Sequence, residues 1–104
     1  MEYQIDIQDN IFEAKLSEKI TFSDLEGFRE IIKRMVDSHS DNNIVDFSEV
    51  EFIDSAGLGM LLLARDEISK TSAKLTLKSP QGQVLRMFNV ARFDQMFDIT
   101  NDSA

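Results

Sequence analysis

Phe52-Ile53-Asp54-Ser55-Ala56-Gly57-Leu58-Gly59 is the stretch that decides the reading of this chain. It ends an apolar strand and opens an apolar helix, with only an acid and a hydroxyl between them. The first turn of a helix leaves backbone N–H groups unpaired and carries the positive end of the helix dipole. A phosphate at that place is electrostatically tolerated. Ser55 is therefore the one residue whose position suggests chemistry.

The elements on either side of this stretch follow from periodicity. Upstream, Ile44-Val45-Asp46-Phe47 reads as a short central strand, and Ser48 to Glu51 as a turn. Downstream, a helix is expected from Ser55 to about Lys70. Tyr3 to Gln8 alternates apolar and polar residues, as a half-buried strand does. Asp9-Asn10 then suits a two-residue turn into a second strand, Ile11 to Leu16. Ser23-Asp24-Leu25-Glu26 has the form of a capping box. Behind it, Leu25, Phe28, Ile31, Ile32, Met35 and Val36 recur at helical spacing to about Ser38. A polar loop is expected from Ser38 to Asn43. Lys74 to Leu77 is a further strand, and Pro80 suits the first turn of a helix over Gln81 to Phe88. Gln95 to Asp98 is expected as the last strand, with a frayed tail from Ile99 to Ala104.

The predicted order is β-β-α-β-α-β-α-β. After an opening hairpin, right-handed crossovers build a mostly parallel sheet with helices packed on it, an α/β fold. A chain of 104 residues has room for one domain, 1–104, with its core over about 3–99.

Composition excludes several classes of function. There is no cysteine, which removes disulfides, thiolate metal sites and a cysteine nucleophile. A single histidine, His39, cannot build a multi-histidine metal site. The formal charge of −8 disfavours nucleic acid and anionic membranes as partners. The start of the chain lacks the basic and apolar regions of a signal peptide, so the cytoplasm is expected.

Two features of the second helix keep two readings each. Leu58, Leu61, Leu62 and Ile68 are expected to face the core, with Met60 and Leu63 nearer solvent. Those two are either the partly covered side of a broad core face or an apolar patch beside Ser55 that meets a partner. Gly57 and Gly59 either let another protein approach Ser55 closely or let the helix pack closely on the sheet.

The Asp54-Ser55-Ala56-Gly57-Leu58-Gly59 segment resembles the signature of the STAS domain of anti-sigma factor antagonists, Asp-Ser-(Ser/Thr/Ala)-Gly-(Leu/Val/Thr)-Gly between a strand and a helix. Asn43 to Val50, as the strand feeding the motif, and Val84 to Val90, as the third helix, are also similar. The resemblance covers roughly residues 3–99. It implies that Ser55 is the phosphorylation site. It also implies that the unphosphorylated protein binds an anti-sigma factor/serine-protein kinase of the histidine-kinase-like ATPase class and releases that factor's target. Phosphorylation of Ser55 switches this binding off, and a PP2C-type serine phosphatase restores it. Together with the apolar side chains of the helix, it places Thr21, Phe22, Ser23, Asp54, Ala56, Gly57, Leu58, Gly59, Met60 and Leu63 at the partner surface. No bound cofactor is expected, ATP belonging to the kinase, and a monomer is expected rather than a dimer. Ala56 replaces the second hydroxyl of many relatives, leaving Ser55 as the motif's one hydroxyl.

The chain departs from the pattern in two places. The family often has Gly-x-Leu/Ile-Asp where this chain reads Ser17-Glu18-Lys19-Ile20-Thr21-Phe22, which leaves the partner's identity open. The stretch after Ile99 is short for the family's last helix.

Three other readings compete. A serine enzyme needs a base, and His39 is expected at the opposite end of the fold, while Gly-x-Ser-x-Gly is absent. A nucleotide-binding module needs more than Gly57-Leu58-Gly59, and no lysine follows. The third is a non-switching STAS scaffold subunit of a transport or signalling assembly, in which Ser55 serves only as a helix N-cap.

Overall fold

The computed structural model describes residues 1–101. Asp9 and Asn10 both take the left-handed backbone conformation, with φ of 51° and 67°. Such a turn matches the twist of the strands it joins. It links β1 (Glu2–Gln8) to β2 (Ile11–Ile20) as an antiparallel hairpin. After a 3-10 turn (Phe22–Asp24) come α1 (Leu25–Asp37), β3 (Asn42–Ile53), α2 (Ser55–Ser69), β4 (Lys74–Lys78) and α3 (Gly82–Val90). A second 3-10 turn (Phe93–Gln95) leads to β5 (Asp98–Thr100).

The sheet order is β1-β2-β3-β4-β5, parallel everywhere except in the hairpin. Each crossover steps one strand in the same direction. Right-handed crossovers of that kind put α1, α2 and α3 on one face. That face carries Phe12, Ala14, Leu16, Val45, Phe47, Leu75 and Leu77, all buried in one core with Phe28, Ile31, Leu61, Val84 and Phe88 from the helices. The opposite face stays polar and is laced by ion pairs. Lys15 meets Glu49 at 2.9 Å and Lys78 meets Glu13 at 3.5 Å. The hydrogen bond and charge of Glu49 raise the Lys15 ammonium above its ordinary pKa.

The structure corrects the sequence expectation at five points. Ser48 to Glu51 is not a turn but part of the 12-residue β3, and Asn42 and Asn43, expected in a loop, begin that strand. The polar run is a bulge. The β2 register shifts between Lys15 and Ser17 and again between Glu18 and Lys19, and the Asp46 carboxylate accepts the Ser48 N–H at 2.8 Å. A bulge admits an extra residue without ending the strand, so a polar run of this kind reads like a turn.

Second, the capping pair is Thr21 and Asp24, not Ser23 and Glu26. The Asp24 carboxylate accepts the Thr21 N–H at 2.8 Å, so the pair sits two residues earlier than expected. Third, Pro80 stands before the helix, whose N-cap is Gln81.

Fourth, the last strand is Asp98–Thr100 and not Gln95 to Asp98, so Ile99 and Thr100 are paired with β4 instead of frayed. Phe93 and Phe97 explain the shift. Their rings lie 4.8 Å apart in the core, next to Phe88, and the i,i+4 spacing winds this segment into a turn. The rest of the expected tail, residues 102–104, lies outside the described residues.

Fifth, on α2 the buried residues are Gly57, Met60, Leu61, Ala64 and Ile68. Met60 is therefore core, and Leu62, expected in the core, is 40% exposed, as is Leu63. The buried stripe is narrow because only this face meets both α1 and the sheet.

Candidate functional site

The site stands where β3 ends and α2 begins. Asp54 keeps an extended backbone and is the N-cap of α2, its Oδ1 accepting the Gly57 N–H at 2.9 Å. Oδ2 of the same carboxylate accepts the Phe22 N–H at 3.1 Å. The Asp54 N–H in turn donates to the Ile20 carbonyl oxygen at 3.1 Å. One residue thus joins the end of β2, the 3-10 turn and the first turn of α2.

Ser55 is the first residue of α2 and is exposed. Its hydroxyl has no hydrogen-bond partner among the described residues, because Asp54 already caps the helix. This corrects the alternative in which Ser55 is the cap. Ala56 and Leu58 are half-buried, and Gly59 is exposed.

The two glycines have different roles. A Cβ on Gly57 would stand 2.6 Å from Ile53 Cγ1 and 3.0 Å from Ile20 Cγ2, so this glycine seats the helix on the sheet. A Cβ on Gly59 would meet nothing within 4 Å. Of the residues expected at a partner surface, Gly57 and Met60 are buried and offer no side-chain surface. Thr21, Phe22 and Ser23 lie beside Ser55 through the Asp54 link, and the Phe22 ring is 72% exposed. Leu63 and Leu62 lie about two turns further down α2.

The 3-10 turn has its own anchor. The Asp24 carboxylate accepts from the Thr21 N–H and from the Met1 ammonium, the latter at 3.0 Å. Burial works against the charged form, but these donors hold the Asp24 carboxyl below its ordinary pKa.

Gln83 completes the site, and no local sequence signal announces it. Its Oε1 accepts the Ile53 N–H and its Nε2 donates to the Ile53 carbonyl oxygen, each at 2.9 Å. These partners are 30 residues apart, and a glutamine in a helix has no pattern that points to a strand edge.

The one histidine of the chain stands far from Ser55. His39 lies with Ser40, Asp41 and Thr71 beyond the C-terminal ends of α1 and α2. The length of α2 separates it from Ser55 by about 20 Å. No cluster of metal-ligating side chains occurs among the described residues. Among them, no helix is long and apolar enough to cross a membrane.

A family model for the STAS domain matches residues 2–104. A STAS-domain containing protein of Pseudomonas aeruginosa is 33% identical over 57 residues, which are 55% of this chain and 56% of that protein. The match thus spans little more than half the length of this curated relative. The fold is shared with an anti-sigma factor antagonist from Mycobacterium paratuberculosis, at a TM-score of 0.87 and 18% identity over 98% of this chain and 86% of that one. It is shared too with the anti-sigma factor antagonist SpoIIAA in its unphosphorylated form, at 0.75 and 17% over 99% and 90%. A sulfate transporter family protein from Wolinella succinogenes has it as well, at 0.78 and 12% over 92% and 80%.

Proposed function

This chain belongs to the STAS domain family, and from that premise we propose that it is a partner-switching regulator controlled at Ser55. Unphosphorylated, it binds an anti-sigma factor/serine-protein kinase of the histidine-kinase-like ATPase class and frees that factor's target. Phosphorylation of Ser55 ends the binding, and a PP2C-type phosphatase restores it. The protein works in the cytoplasm as a monomer and performs no catalysis itself.

The observation that carries this reading is the division of labour between Asp54 and Ser55. Asp54 does the capping, so the exposed Ser55 hydroxyl is left without a structural task. SpoIIAA, whose fold this chain shares, is also known in a phosphorylated form. The exposed Phe22 beside Ser55 gives a partner an apolar anchor of the kind found at interface hot spots.

The scaffold reading is favoured by one observation, the shared fold of the sulfate transporter family protein. It loses its account of Ser55 once Asp54 is the cap.

The test is intact-mass and peptide-mapping analysis of the protein from its native cells, with and without deletion of the PP2C-type phosphatase genes of those cells. Phosphate on Ser55 that rises when the phosphatase is lost is the expected result. Absence of phosphate under every growth condition puts the scaffold reading first.

A further inference from the structure

We propose that Gln83 is a positioning residue for Ser55, holding the strand end on which the phosphorylation site is built. This rests on the reading of Ser55 as that site. β4 pairs with β3 only from Asn42 to Asp46, so the last part of β3 runs on without a neighbour on that side. Strand edges left this way expose backbone donors and acceptors that need partners. The start of α3 supplies them. The Gln81 side chain donates to the Ser48 carbonyl oxygen, and Gln83 satisfies both backbone groups of Ile53. A primary amide offers a donor and an acceptor side by side, so one glutamine does at Ile53 what a residue of an adjacent strand would do.

The consequence reaches Ser55 through a single peptide unit. The Ile53 carbonyl oxygen accepts from Gln83, while the N–H of the same Ile53–Asp54 peptide donates to Ile20 on the other side. The plane of this peptide is thereby held from two directions. Asp54 then fixes Gly57 and Phe22. The Ile53 side chain also forms the seat of Gly57, where a Cβ would have no room. Loss of the Gln83 clamp frees the peptide to rotate and loosens both the seat and the cap of the first turn of α2.

The experiment compares the full chain with Gln83→Met, which keeps length and loses the amide, and Gln83→Glu, which keeps an acceptor and loses the donor. Amide hydrogen exchange is read at Ile53, Asp54, Gly57 and Leu58, with Leu77 in the core reporting global opening. In Gln83→Met, exchange at the four amides accelerates about tenfold, the loss expected from one to two neutral hydrogen bonds, while Leu77 is unchanged. Gln83→Glu falls between. Acceleration confined to Ile53, or none at all, overturns the proposal. In phosphatase-deficient native cells, phosphate accumulates more slowly on Ser55 of Gln83→Met than on wild type. An equal rate, with the first turn loosened, overturns the positioning role. If the wild-type chain never carries phosphate, the Ser55 reading fails, and the exchange data still decide whether Gln83 holds the turn.

Discussion

The Asp54 carboxylate accepts the backbone N–H of Phe22 at 3.1 Å, across 32 residues of sequence. The other oxygen of the carboxylate caps α2. The strand-to-helix corner bearing Ser55 and the turn bearing the exposed Phe22 ring therefore move as one body. A partner that reads both meets a preorganised surface, which lowers the ordering cost of binding.

Asp54→Ala removes the cap and the latch together. Stability is expected to fall by about 0.5–2 kcal/mol, the usual range for loss of an N-cap. Urea denaturation of the two proteins measures it. Asp54→Asn keeps an acceptor for one of the two N–H groups and should lie between wild type and Asp54→Ala.

Gly57→Ala and Gly59→Ala should have opposite signs. At Gly57 the new methyl meets Ile53 and Ile20 in a packed seam, and overpacking of that kind costs about 1–3 kcal/mol. At Gly59 the methyl enters open space in a helix, so the higher helix propensity of alanine raises stability by about 1 kcal/mol. Thermal melts of both variants check the contrast. Equal effects would mean that α2 does not sit on Ile53 as described.

Phe22→Ala should leave folding within about 0.5 kcal/mol of wild type, because the ring contributes little buried surface. Affinity for the partner isolated from native cells should drop by tenfold or more, as for an apolar hot spot. Titration calorimetry reads the affinity. An unchanged affinity takes Phe22 out of the interface.

Ser55→Asp should weaken the same binding while Ser55→Ala retains it. A phosphate with two charges about 6 Å from the Asp54 carboxylate is repelled by about 1.4 kcal/mol at the dielectric of water, and the helix N-terminus returns about 0.3–1 kcal/mol. The fold therefore gains nothing from the phosphate, and its effect falls on the partner. Equal binding by both variants would remove the switch.

The Asp24 carboxyl sits below its ordinary pKa in the folded protein. A group depressed in this way binds protons more tightly when unfolded. Its contribution is complete above the unfolded value of about 3.9 and is lost as pH falls from there through the folded value. Asp24→Asn should therefore flatten the acid limb of a stability–pH profile below about pH 4 and leave its shape near neutrality unchanged. A parallel loss at all pH values would assign Asp24 a packing role instead.

Much of the architecture was legible in the order of residues. Alternation in β1, helical spacing in α1 and the Asp9-Asn10 turn are local patterns, set by side chains a few positions apart. The strand–Asp54–Ser55–helix corner is local too, and so the candidate site could be placed from sequence. The bulged middle of β3 could not. Its polar residues have the composition of a turn, and only pairing with Ser17 to Ile20 makes them a strand. The last strand was misplaced because Phe93 packs on Phe88 and Phe97 on Phe93, contacts that alternation does not record.

The sequence by itself determined that Ser55 opens a helix at the end of a strand, since an apolar run, an acid and a hydroxyl in that order have few other local solutions. Only the tertiary structure decided which residue caps that helix, which glycine is packed and which is open, and that Gln83 holds the strand end. Distant partners enter at each point: Asp54 also reaches Phe22 across 32 residues, the seat of Gly57 includes Ile20, and Gln83 reaches Ile53 across 30. Hydrogen bonds and steric exclusion act over a few ångströms of space, and the pattern of neighbouring residues carries no record of which distant segment folding will bring within that reach.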